Sequence, residues 1–390
     1  MMMKIERSER LKNLPPYLFV EIDKAKKRAR DEGRDIIDLG IGDPDIPTPR
    51  FIIDALNRAA RDPRNHRYPL DQGLPEFRQE CARWLSARFG VSFDPESEIY
   101  PLVGSKEGIA HIPLAFVNPG DIVLVPDPGY PPYRSGALFA GGEVLKMPLL
   151  EKNHFLPDLK AINHASMHKI KMLFINYPNN PTAAVCDKRF LKEAVDFAAK
   201  HNIIVCHDAS YSEIAFGGFK PPSIFEVDGA KDVAIEFHSL SKTFNMTGWR
   251  LGFAIGNKEI VAGLAKVKSN IDSGCFFAIQ WAGVAALKNY DRHIRSVLKI
   301  YEERRNVLVD GLNSLGWHIA RPKATFYVWA RVPARYTSAS FAKELLERCD
   351  IVATPGNGFG DSGEGYVRFA LTVDKRRIKE AVDRIKERMQ

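Results

Sequence analysis

The sequence predicts an α/β protein with two domains: a large domain in which a mostly parallel sheet lies between helices, and a smaller α+β domain. Three observations lead to this prediction. The chain has 390 residues, more than the roughly 250–300 at which a single hydrophobic core stops growing. From about residue 50 to residue 285, short apolar runs alternate with helical patterns, as in parallel sheets covered on both faces. After Asn289 a long charged helix and several short strands follow.

The N-terminal and central regions predict the following elements in order. A helix is expected over Tyr17–Glu32, because Pro15 and Pro16 precede it and Gly33 follows it. A short strand, Ile36–Leu39, comes next. The strands predicted in the alternating region are Ile99–Val103, Ile122–Val125, Lys171–Ile175, Ile203–His207, Val233–His238 and Leu251–Ile255. The helices predicted between them are Phe51–Arg61, Leu74–Phe89, Lys106–Val117, Lys188–His201 and Lys258–Lys268.

The C-terminal region predicts the smaller domain. Its expected elements are a helix Asp291–Leu315, strand Phe326–Arg331, helix Ser340–Arg348, strands Ile351–Ala353 and Tyr366–Leu371, and a helix from Lys375. We place the boundaries at residues 1–48 for an N-terminal arm that is partly in the small domain, 49–288 for the large domain, and 289–390 for the small C-terminal domain.

The composition and the charge pattern restrict the classes of partner. Apolar residues make up 45% and charged residues 27%, which is typical of a soluble globular protein. The net charge of +8 suggests a polyanionic partner, but the first 34 and the last 16 residues each carry +4, so the body is neutral. No apolar run is long enough to span a membrane. The five cysteines include no C-x-x-C pair, so a reducing cytoplasm is expected.

The segment from Ser239 to Gly252 contains the strongest chemical signal. Lys242 directly follows an apolar strand, where a partly desolvated amine can form a Schiff base with an aldehyde. The hydroxyls of Ser239 and Ser241 and the guanidinium of Arg250 suit an anion such as a phosphate ester. Taken alone, a lysine such as Lys242 is more often an ordinary lysine in a solvated loop.

Three further segments add polar groups at strand ends. Asp208 ends an apolar strand, with Tyr211 just beyond it, at the edge where open α/β sheets bind ligands; a helix N-cap is the alternative. Asn180 lies in a proline-rich loop after the preceding strand and could be simply a turn residue. Gly104–Gly108 lies between a strand and a helix, which is an anion-binding position.

His164 and His168 are four residues apart, as in a zinc-binding helix. They lack the glutamate of a zinc-protease motif, so no metal is expected.

Together these segments resemble the fold-type I pyridoxal-phosphate aminotransferases of class I/II, over nearly the whole chain. Finer features are similar to the LL-diaminopimelate-type subgroup: Leu14–Tyr17, Gly42–Pro44, Gly104–Gly108, Asp127–Pro131 and Asn180–Ala184. Ala183 stands where the general family usually has glycine, a change shared with the diaminopimelate-type and alanine-type relatives. The resemblance implies a seven-stranded sheet in a domain that binds pyridoxal 5′-phosphate.

The resemblance also implies roles for individual residues. For the cofactor ring these are Lys242 as Schiff-base lysine and proton shuttle, Asp208 at the ring nitrogen, Asn180 and Tyr211 at the phenolic oxygen, and Tyr130 stacked on the face. For the phosphate they are Ser105, Lys106, Ser239, Ser241 and Arg250, with Tyr68 reaching in from a partner subunit. For the substrate they are Tyr17, Gly42, Lys106, Asn180 and Arg368, the last as a fork for the α-carboxylate. Lys106, Glu107 and Asp45 are candidates for the distal end of a substrate.

The function implied is transfer of an amino group between an L-amino acid, LL-2,6-diaminopimelate before others, and 2-oxoglutarate by a ping-pong mechanism. An alanine/glutamate or broad-specificity aminotransferase is an alternative, and a C–S lyase or an aminocyclopropane carboxylate synthase-like enzyme is another. The implied partners are amino and 2-oxo acids and a second copy of the chain, with shared active sites; nucleic acid and membrane are not expected. A regulator fused to a DNA-binding module would need about 60 additional residues, yet the family-like segment begins by Leu14.

Overall fold

A computed structural model describes residues 5–14, 18–69 and 72–389 of the chain. The α-helices are α1 Glu9–Lys12, α2 Leu18–Asp31, α3 Arg50–Ala60, α4 Pro75–Phe89, α5 Ser105–Phe116, α6 Pro131–Phe139, α7 Lys188–His201, α8 Ala230–Val233, α9 Leu240–Thr243, α10 Lys258–Lys268, α11 Phe277–Lys288, α12 Tyr290–Ser314, α13 Ser338–Cys349 and α14 Lys375–Met389. The strands are β1 Ile37–Asp38, β2 Ile99–Leu102, β3 Ile122–Asp127, β4 Glu143–Pro148, β5 Ile170–Asn176, β6 Ile204–Asp208, β7 Ala234–Ser239, β8 Gly252–Gly256, β9 Tyr327–Arg331, β10 Ile351–Val352, β11 Thr354–Pro355 and β12 Tyr366–Ala370.

The described part of the central region contains a seven-stranded sheet in the order β2-β8-β7-β6-β5-β3-β4. All neighbouring strands run parallel except β8, which is antiparallel to both β2 and β7. The sheet is buried on both faces: in β5, Met172 and Phe174 pack into one apolar cluster, while Leu173 and Ile175 pack into another. The predicted α/β class with a mostly parallel sheet is therefore confirmed.

Five elements of this region escaped prediction: β4, the two one-turn helices α8 and α9, and the longer helices α6 and α11. β4 is the edge strand of the sheet, and of its six residues only Met147 is buried. Because an edge strand does not need a continuous apolar run, its sequence gave no strand signal. α11 is the opposite case, since it is apolar nearly all round and has no polar stripe to reveal its period.

The C-terminal region forms a second unit with its own core. Strands β11, β12 and β9 make an antiparallel sheet, and the N-terminal strand β1 pairs in parallel with β10. Ile37 and Leu39 of the N-terminal region share an apolar cluster with Tyr301, Phe341 and Phe369 of the C-terminal region. This contact supports the proposed domain division at residues 1–48, 49–288 and 289–390, in which both ends of the chain build the small domain.

Ion pairs join the two basic ends to this small domain. Asp35 accepts hydrogen bonds from Arg377 and Arg384, at 2.7 and 2.6 Å, and these lower the pKa of its carboxyl group. Asp350 pairs in the same way with Arg34 and with Arg388 of α14. Part of the surplus positive charge is therefore neutralised by ion pairs between the N-terminal and C-terminal segments of the small domain.

None of the helices in the described residues is both long and apolar enough to cross a bilayer.

Candidate active site

Lys242 lies at the carboxyl end of the parallel sheet. β7 runs directly into the short helix α9, which carries the lysine. The Lys242 Nζ donates a hydrogen bond of 3.2 Å to the Gly42 carbonyl and lies 5.8 Å from the centre of the Phe326 ring. Burial of the amine lowers its pKa to about 8, outweighing the opposite effect of the Asp43 carboxylate. The result is a partly accessible amine that is easily deprotonated near neutral pH.

Asp208 ends the neighbouring strand, β6. Its carboxylate is 5% exposed and accepts hydrogen bonds from the Tyr133 hydroxyl at 2.7 Å and from the Ser210 backbone and hydroxyl at 3.1 and 2.6 Å. Tyr133 is also stacked on Phe174, so this donor is held in place by packing. The bonds to Ser210 form a turn, and the alternative of a helix N-cap is wrong. The arrangement keeps a negative charge at the edge of the sheet.

The predicted anion-binding residues come together beside β8. Ser105 begins α5, and its hydroxyl lies 3.1 Å from that of Ser210. Gly104 precedes it with a φ of 77°, and a Cβ atom there would lie 2.2 Å from the Arg250 Nη2. The arginine head therefore lies directly over Gly104, where a larger residue would be strained at this φ and would displace the guanidinium. Ser239, the last residue of β7, pairs in register with Gly252, which packs against the Ser105 backbone.

Arg368 and Asn180 meet although 188 residues separate them in the sequence. The Arg368 Nη1 donates to the Asn180 Oδ1 at 2.7 Å, and its Nη2 donates to the Gly40 carbonyl at 2.6 Å. The guanidinium is 1% exposed and lies 4.2 Å from the centre of the Tyr327 ring. The Tyr327 hydroxyl in turn lies 2.8 Å from that of Tyr211. The Asn180 side chain and the Gly40 carbonyl thus fix the orientation of this guanidinium.

Gly42, the residue that accepts the bond from Lys242, is also constrained by Tyr327. A Cβ atom on Gly42 would lie 1.9 Å from the Tyr327 hydroxyl oxygen. The structure therefore brings Lys242, Gly42, Tyr211, Asn180 and Arg368 around one centre through a tyrosine that the sequence analysis missed. Tyr133, which holds Asp208, was missed as well. Neither tyrosine follows a strand end or a glycine-rich turn, so no sequence signal pointed to them.

Several predicted residues lie elsewhere or outside the description. Tyr68 is 77% exposed and is not part of the site of its own chain. Tyr17 lies outside the described residues. Asp45 and Glu107, suggested for the distal end of a substrate, are engaged elsewhere. Asp45 pairs with both terminal nitrogens of Arg304 at 2.6 and 2.8 Å. Glu107 accepts bonds from the Val103 backbone at 3.1 Å and from His111 at 2.8 Å, and its Oε2 lies 3.3 Å from the Lys268 Nζ.

A cavity of about 690 Å³ reaches the site at Tyr133, the donor to Asp208; Lys242, Asp208, Asn180 and Arg368 themselves do not line it. Tyr130 lines it, with its ring 5.8 Å from that of Tyr133 and nearly perpendicular to it. The exposed side of Lys106 and the ring of Phe359 line it as well. The loop that contributes Phe359 is tied to β3, because Asp127 accepts bonds from the Ser362 backbone and hydroxyl at 3.1 and 2.9 Å. The cavity is large enough for a small amphipathic metabolite.

Comparison with known proteins gives the class of this site. The profile of the family described as aminotransferase class I and II matches residues 34–385. The chain belongs to the class I and II aminotransferases. An LL-diaminopimelate aminotransferase of Moorella thermoacetica is 55% identical over 382 residues, 98% of each chain, and that of Aquifex aeolicus is 55% identical over 381 residues, again 98% of each. A substrate-bound BacF structure from Bacillus subtilis has a TM-score of 0.95 at 40% identity, over 99% of this chain and 98% of its own.

Ala183 of this aminotransferase has a backbone conformation that favours glycine. Its φ is 58°, in the left-handed region, which costs a residue with a Cβ atom roughly 1–2 kcal/mol. The loop is otherwise closed by paired bonds, in which the Asn179 carbonyl accepts from Ala183 and the Asn179 backbone N–H donates to Ala184, both at 2.9 Å.

We expect Ala183→Gly to raise the free energy of unfolding by about 1 kcal/mol, because glycine removes this strain. Urea denaturation of the purified wild-type and variant proteins measures this change in the free energy of unfolding. Ala184→Gly is the matched control, since Ala184 has an ordinary φ and should gain nothing. A loss of stability in Ala183→Gly would contradict the strain argument.

Proposed function

We propose that this aminotransferase transfers the amino group of LL-2,6-diaminopimelate to 2-oxoglutarate, with pyridoxal 5′-phosphate as its cofactor and Lys242 as the reacting lysine. One observation carries the proposal: a partly buried amine of lowered pKa lies at the sheet edge that also holds the Asp208 carboxylate and the Asn180–Arg368 pair. The LL-diaminopimelate aminotransferases that match almost the whole chain at 55% identity support the choice of substrate.

The residues present fit the cofactor chemically. Its phosphate needs donors and positive charge, which the N-terminus of α5 at Ser105, the nearby Ser239 and Ser241 hydroxyls and Arg250 offer. Gly104 leaves the room that the arginine head requires. The ring nitrogen needs a carboxylate, and Asp208 is the buried acid at the end of the adjacent strand. We therefore assign these five residues, with Lys106 through its backbone, to the cofactor.

When bound, pyridoxal phosphate supplies an aldehyde carbon that takes up an amino group and a ring that withdraws electrons from the substrate Cα. The chain supplies the rest. Asp208, held by Tyr133 and Ser210, presents the negative charge that keeps a ring nitrogen protonated. Tyr211 and Asn180 are assigned to the phenolic oxygen, toward which each could donate a hydrogen bond, and Tyr130 would stack on the cofactor ring.

Lys242 moves the proton in this scheme. Its amine has a pKa of about 8, so at neutral pH it exchanges protons readily, and the Gly42 carbonyl at 3.2 Å orients the nitrogen. We assign Lys242 Nζ to accept the proton from the substrate Cα and, with the cofactor bound, to give the same proton to the aldehyde-derived carbon that takes up the nitrogen. The Gly42 backbone and Tyr17 are assigned to cover the substrate during this step.

Arg368 receives the α-carboxylate of either substrate in this proposal. Its guanidinium is aligned by Asn180 and by the Gly40 carbonyl, and its burial strengthens a bidentate pair with a carboxylate. The distal end of diaminopimelate carries a second ammonium and a second carboxylate. Of the three candidates for the distal end, Lys106 lines the cavity, and its ammonium is suited to the distal carboxylate.

We further propose a homodimer whose active sites are shared. Tyr68 extends from its own chain with 77% of its surface exposed, and two other large apolar residues, Ile271 and Phe276, are 51% and 40% exposed nearby. The ring of Phe276 lies 6.3 Å from that of His66, so the two segments form one surface. An apolar surface of this kind is suited to a second copy of the chain.

Mixing two inactive variants tests the shared site. Tyr68→Ala and Lys242→Ala homodimers are denatured together, refolded and assayed with the cofactor. In a hybrid dimer one site contains Lys242 from one subunit and Tyr68 from the other, so activity should reappear above that of either variant alone. Refolding each variant by itself is the control. No gain on mixing, despite hybrids detected by native mass spectrometry, would refute the shared site.

The pKa of Lys242 predicts the pH dependence of cofactor uptake by the apo chain. Only the deprotonated amine attacks an aldehyde, and burial lowers its pKa from the usual 10.5 to about 8. The rate constant of pyridoxal phosphate uptake should therefore rise up to about pH 8 and level off above it. Stopped-flow absorbance measures this, with an acetylated lysine peptide as the control. A rise of about tenfold per pH unit continuing to pH 10 would contradict the lowered pKa.

A screen of amino donors with 2-oxoglutarate tests the proposed reaction. LL-diaminopimelate should give the highest kcat/KM among LL-diaminopimelate, glutamate, alanine and aspartate. A higher kcat/KM for alanine would favour the alanine/glutamate alternative.

Half-reactions separate a transferase from a C–S lyase or a synthase. In a transferase, the amino acid alone should convert the cofactor to its amine form without release of ammonia. Release of a keto acid with recovery of the starting absorbance would refute transamination.

A further inference from the structure

A fully buried acid–base cluster lies directly behind the site. His207 precedes Asp208 on β6, and successive side chains of a strand point to opposite faces of the sheet. His207 therefore lies on the face opposite the Asp208 carboxylate. Glu236 is its register partner on the parallel strand β7, and both side chains are 0% exposed. The transamination steps proposed above use neither residue.

The surroundings of Glu236 require an ionised carboxylate. Its Oε1 accepts from the His238 Nε2 at 2.7 Å and from the Ser223 hydroxyl at 2.9 Å. Its Oε2 accepts from the His207 Nδ1 at 2.8 Å and from the Ile224 backbone at 2.8 Å. Four donors fill the acceptor positions of one carboxylate. Burial alone would raise the pKa of Glu236, but the hydrogen bonds from the two histidines lower it below its usual value.

The surroundings of His207 present a hydrogen-bond acceptor to each of its two ring nitrogens. Its Nδ1 faces the Glu236 carboxylate, and its Nε2 lies 3.1 Å from the Tyr177 carbonyl oxygen. Both partners are acceptors without a proton to give, so both ring nitrogens must donate. A neutral imidazole would place a nitrogen lone pair against a carbonyl oxygen inside the protein, which is costly. A protonated His207 instead balances the charge of Glu236.

The contacts of His207 connect three adjacent strands. Tyr177 directly follows β5, His207 belongs to β6, and Glu236 belongs to β7; we call these three residues the histidine clamp. Beyond the same strand ends lie the residues of the proposed site: Asn180 after β5, Asp208 on β6, and Lys242 after β7. The clamp therefore links, by side-chain contacts, the ends of three strands that the backbone ladder already pairs.

We infer that His207 is held as a buried imidazolium and is a positioning residue for the cofactor site, acting through the strands that carry Asn180, Asp208 and Lys242. The part of this inference that concerns the cofactor rests on the proposed function. The clamp carries no net charge, since the imidazolium and the carboxylate cancel. It therefore adds rigidity behind Asp208 without changing the charge that the cofactor meets.

The protonation state is tested by NMR of the full chain labelled with ¹⁵N-histidine. The chain has ten histidines, and His207→Gln identifies the signals that belong to His207. At pH 8.5, where an ordinary histidine is neutral, His207 should show protons on both ring nitrogens in slow exchange with water. A single ring proton, or signals that titrate near pH 6.5 as an exposed histidine does, would overturn the inference.

The positioning role is tested by comparing two glutamate variants. Glu236→Gln removes the charge that holds His207 protonated while keeping the side-chain shape. Glu226→Gln is the matched control, because Glu226 accepts from the backbone of the same Ser223 at 2.9 Å but touches neither histidine. The dissociation constant of pyridoxal phosphate, measured by titrating the apo chain, should rise at least about tenfold in Glu236→Gln, as is common for residues that orient ligand-binding groups, and less than about twofold in Glu226→Gln.

Equal losses in the two variants would overturn the positioning role, because they would show only that the turn at Ser223 had been weakened. If Glu236→Gln does not fold, His207→Gln replaces it in the titration, with the same expected loss. Failure of the wild-type chain to bind pyridoxal phosphate would overturn the proposed function and the cofactor role of the clamp together. The NMR signals of His207 would still decide its protonation in that case, so the two failures are distinguishable.

Discussion

Replacing Lys242 by alanine is expected to abolish turnover with every amino donor. The amine is the group proposed both to bind the cofactor covalently and to move the proton, and a positioned proton-transfer group alone typically contributes about 10²–10⁴ in rate. The variant should also lose the absorbance of the covalently bound cofactor. Steady-state assays and absorbance spectra of the purified protein measure the two effects.

The control for this variant is Lys299→Ala, which removes an exposed lysine of α12 and should leave activity unchanged. Borohydride reduction of the loaded wild-type protein, followed by peptide mapping, should place the reduced cofactor on the peptide that contains Lys242. Label on another lysine, or activity in Lys242→Ala with a normal spectrum, would refute the assignment of the reacting residue.

The second large effect is expected at Arg368. Arg368→Ala removes the proposed fork for the substrate carboxylate, a charge-assisted interaction worth about 1.5–3 kcal/mol, so KM should rise about 10- to 150-fold for each amino acid. The substitution also leaves the Asn180 Oδ1 and the Gly40 carbonyl without their donor. A loss of thermal stability is therefore expected beside the kinetic effect and is measured separately by calorimetry.

A substrate without an α-carboxylate separates these two effects. The wild-type enzyme should strongly prefer an α-amino acid over the corresponding amine, and Arg368→Ala should lose most of that preference. Arg368→Lys keeps the positive charge but not the two parallel donors. Its preference for the α-amino acid should therefore lie between that of the wild-type enzyme and that of Arg368→Ala. An unchanged preference in Arg368→Ala would mean that another group binds the carboxylate.

The sheet shows how far local sequence predicts this fold. β5, β6 and β7 were predicted to within one or two residues, because each is a short apolar run buried on both faces. β4 was missed, since an exposed edge strand carries no such run. The antiparallel direction of β8 also escaped prediction, because strand direction depends on the path of the chain between strands and not on the strand sequence.

The residues of the site likewise divide into those that the sequence predicted and those that it did not. Lys242, Asp208 and Asn180 could be proposed from sequence because each follows a strand end, and in a parallel sheet such ends share one edge. Tyr133 and Tyr327 could not, because the contacts through which they act join residues that are distant in sequence. The Tyr133 hydroxyl reaches Asp208 across 75 positions, and the Tyr327 hydroxyl reaches Tyr211 across 116.

By itself, the sequence determined the fold class and the chemistry-bearing strand ends, since both depend on local hydrophobicity and on residue type at short spacing. Only the tertiary structure decided which charged groups are available. Asp45 and Glu107 were open candidates for substrate recognition until Arg304 and Lys268 were found beside them. His207 is unremarkable in sequence, yet its two acceptors come from two other strands. The physical reason is that hydrogen bonds and ion pairs form between residues that are adjacent in space. Which residues are adjacent depends on how the elements pack, and local sequence does not contain that information.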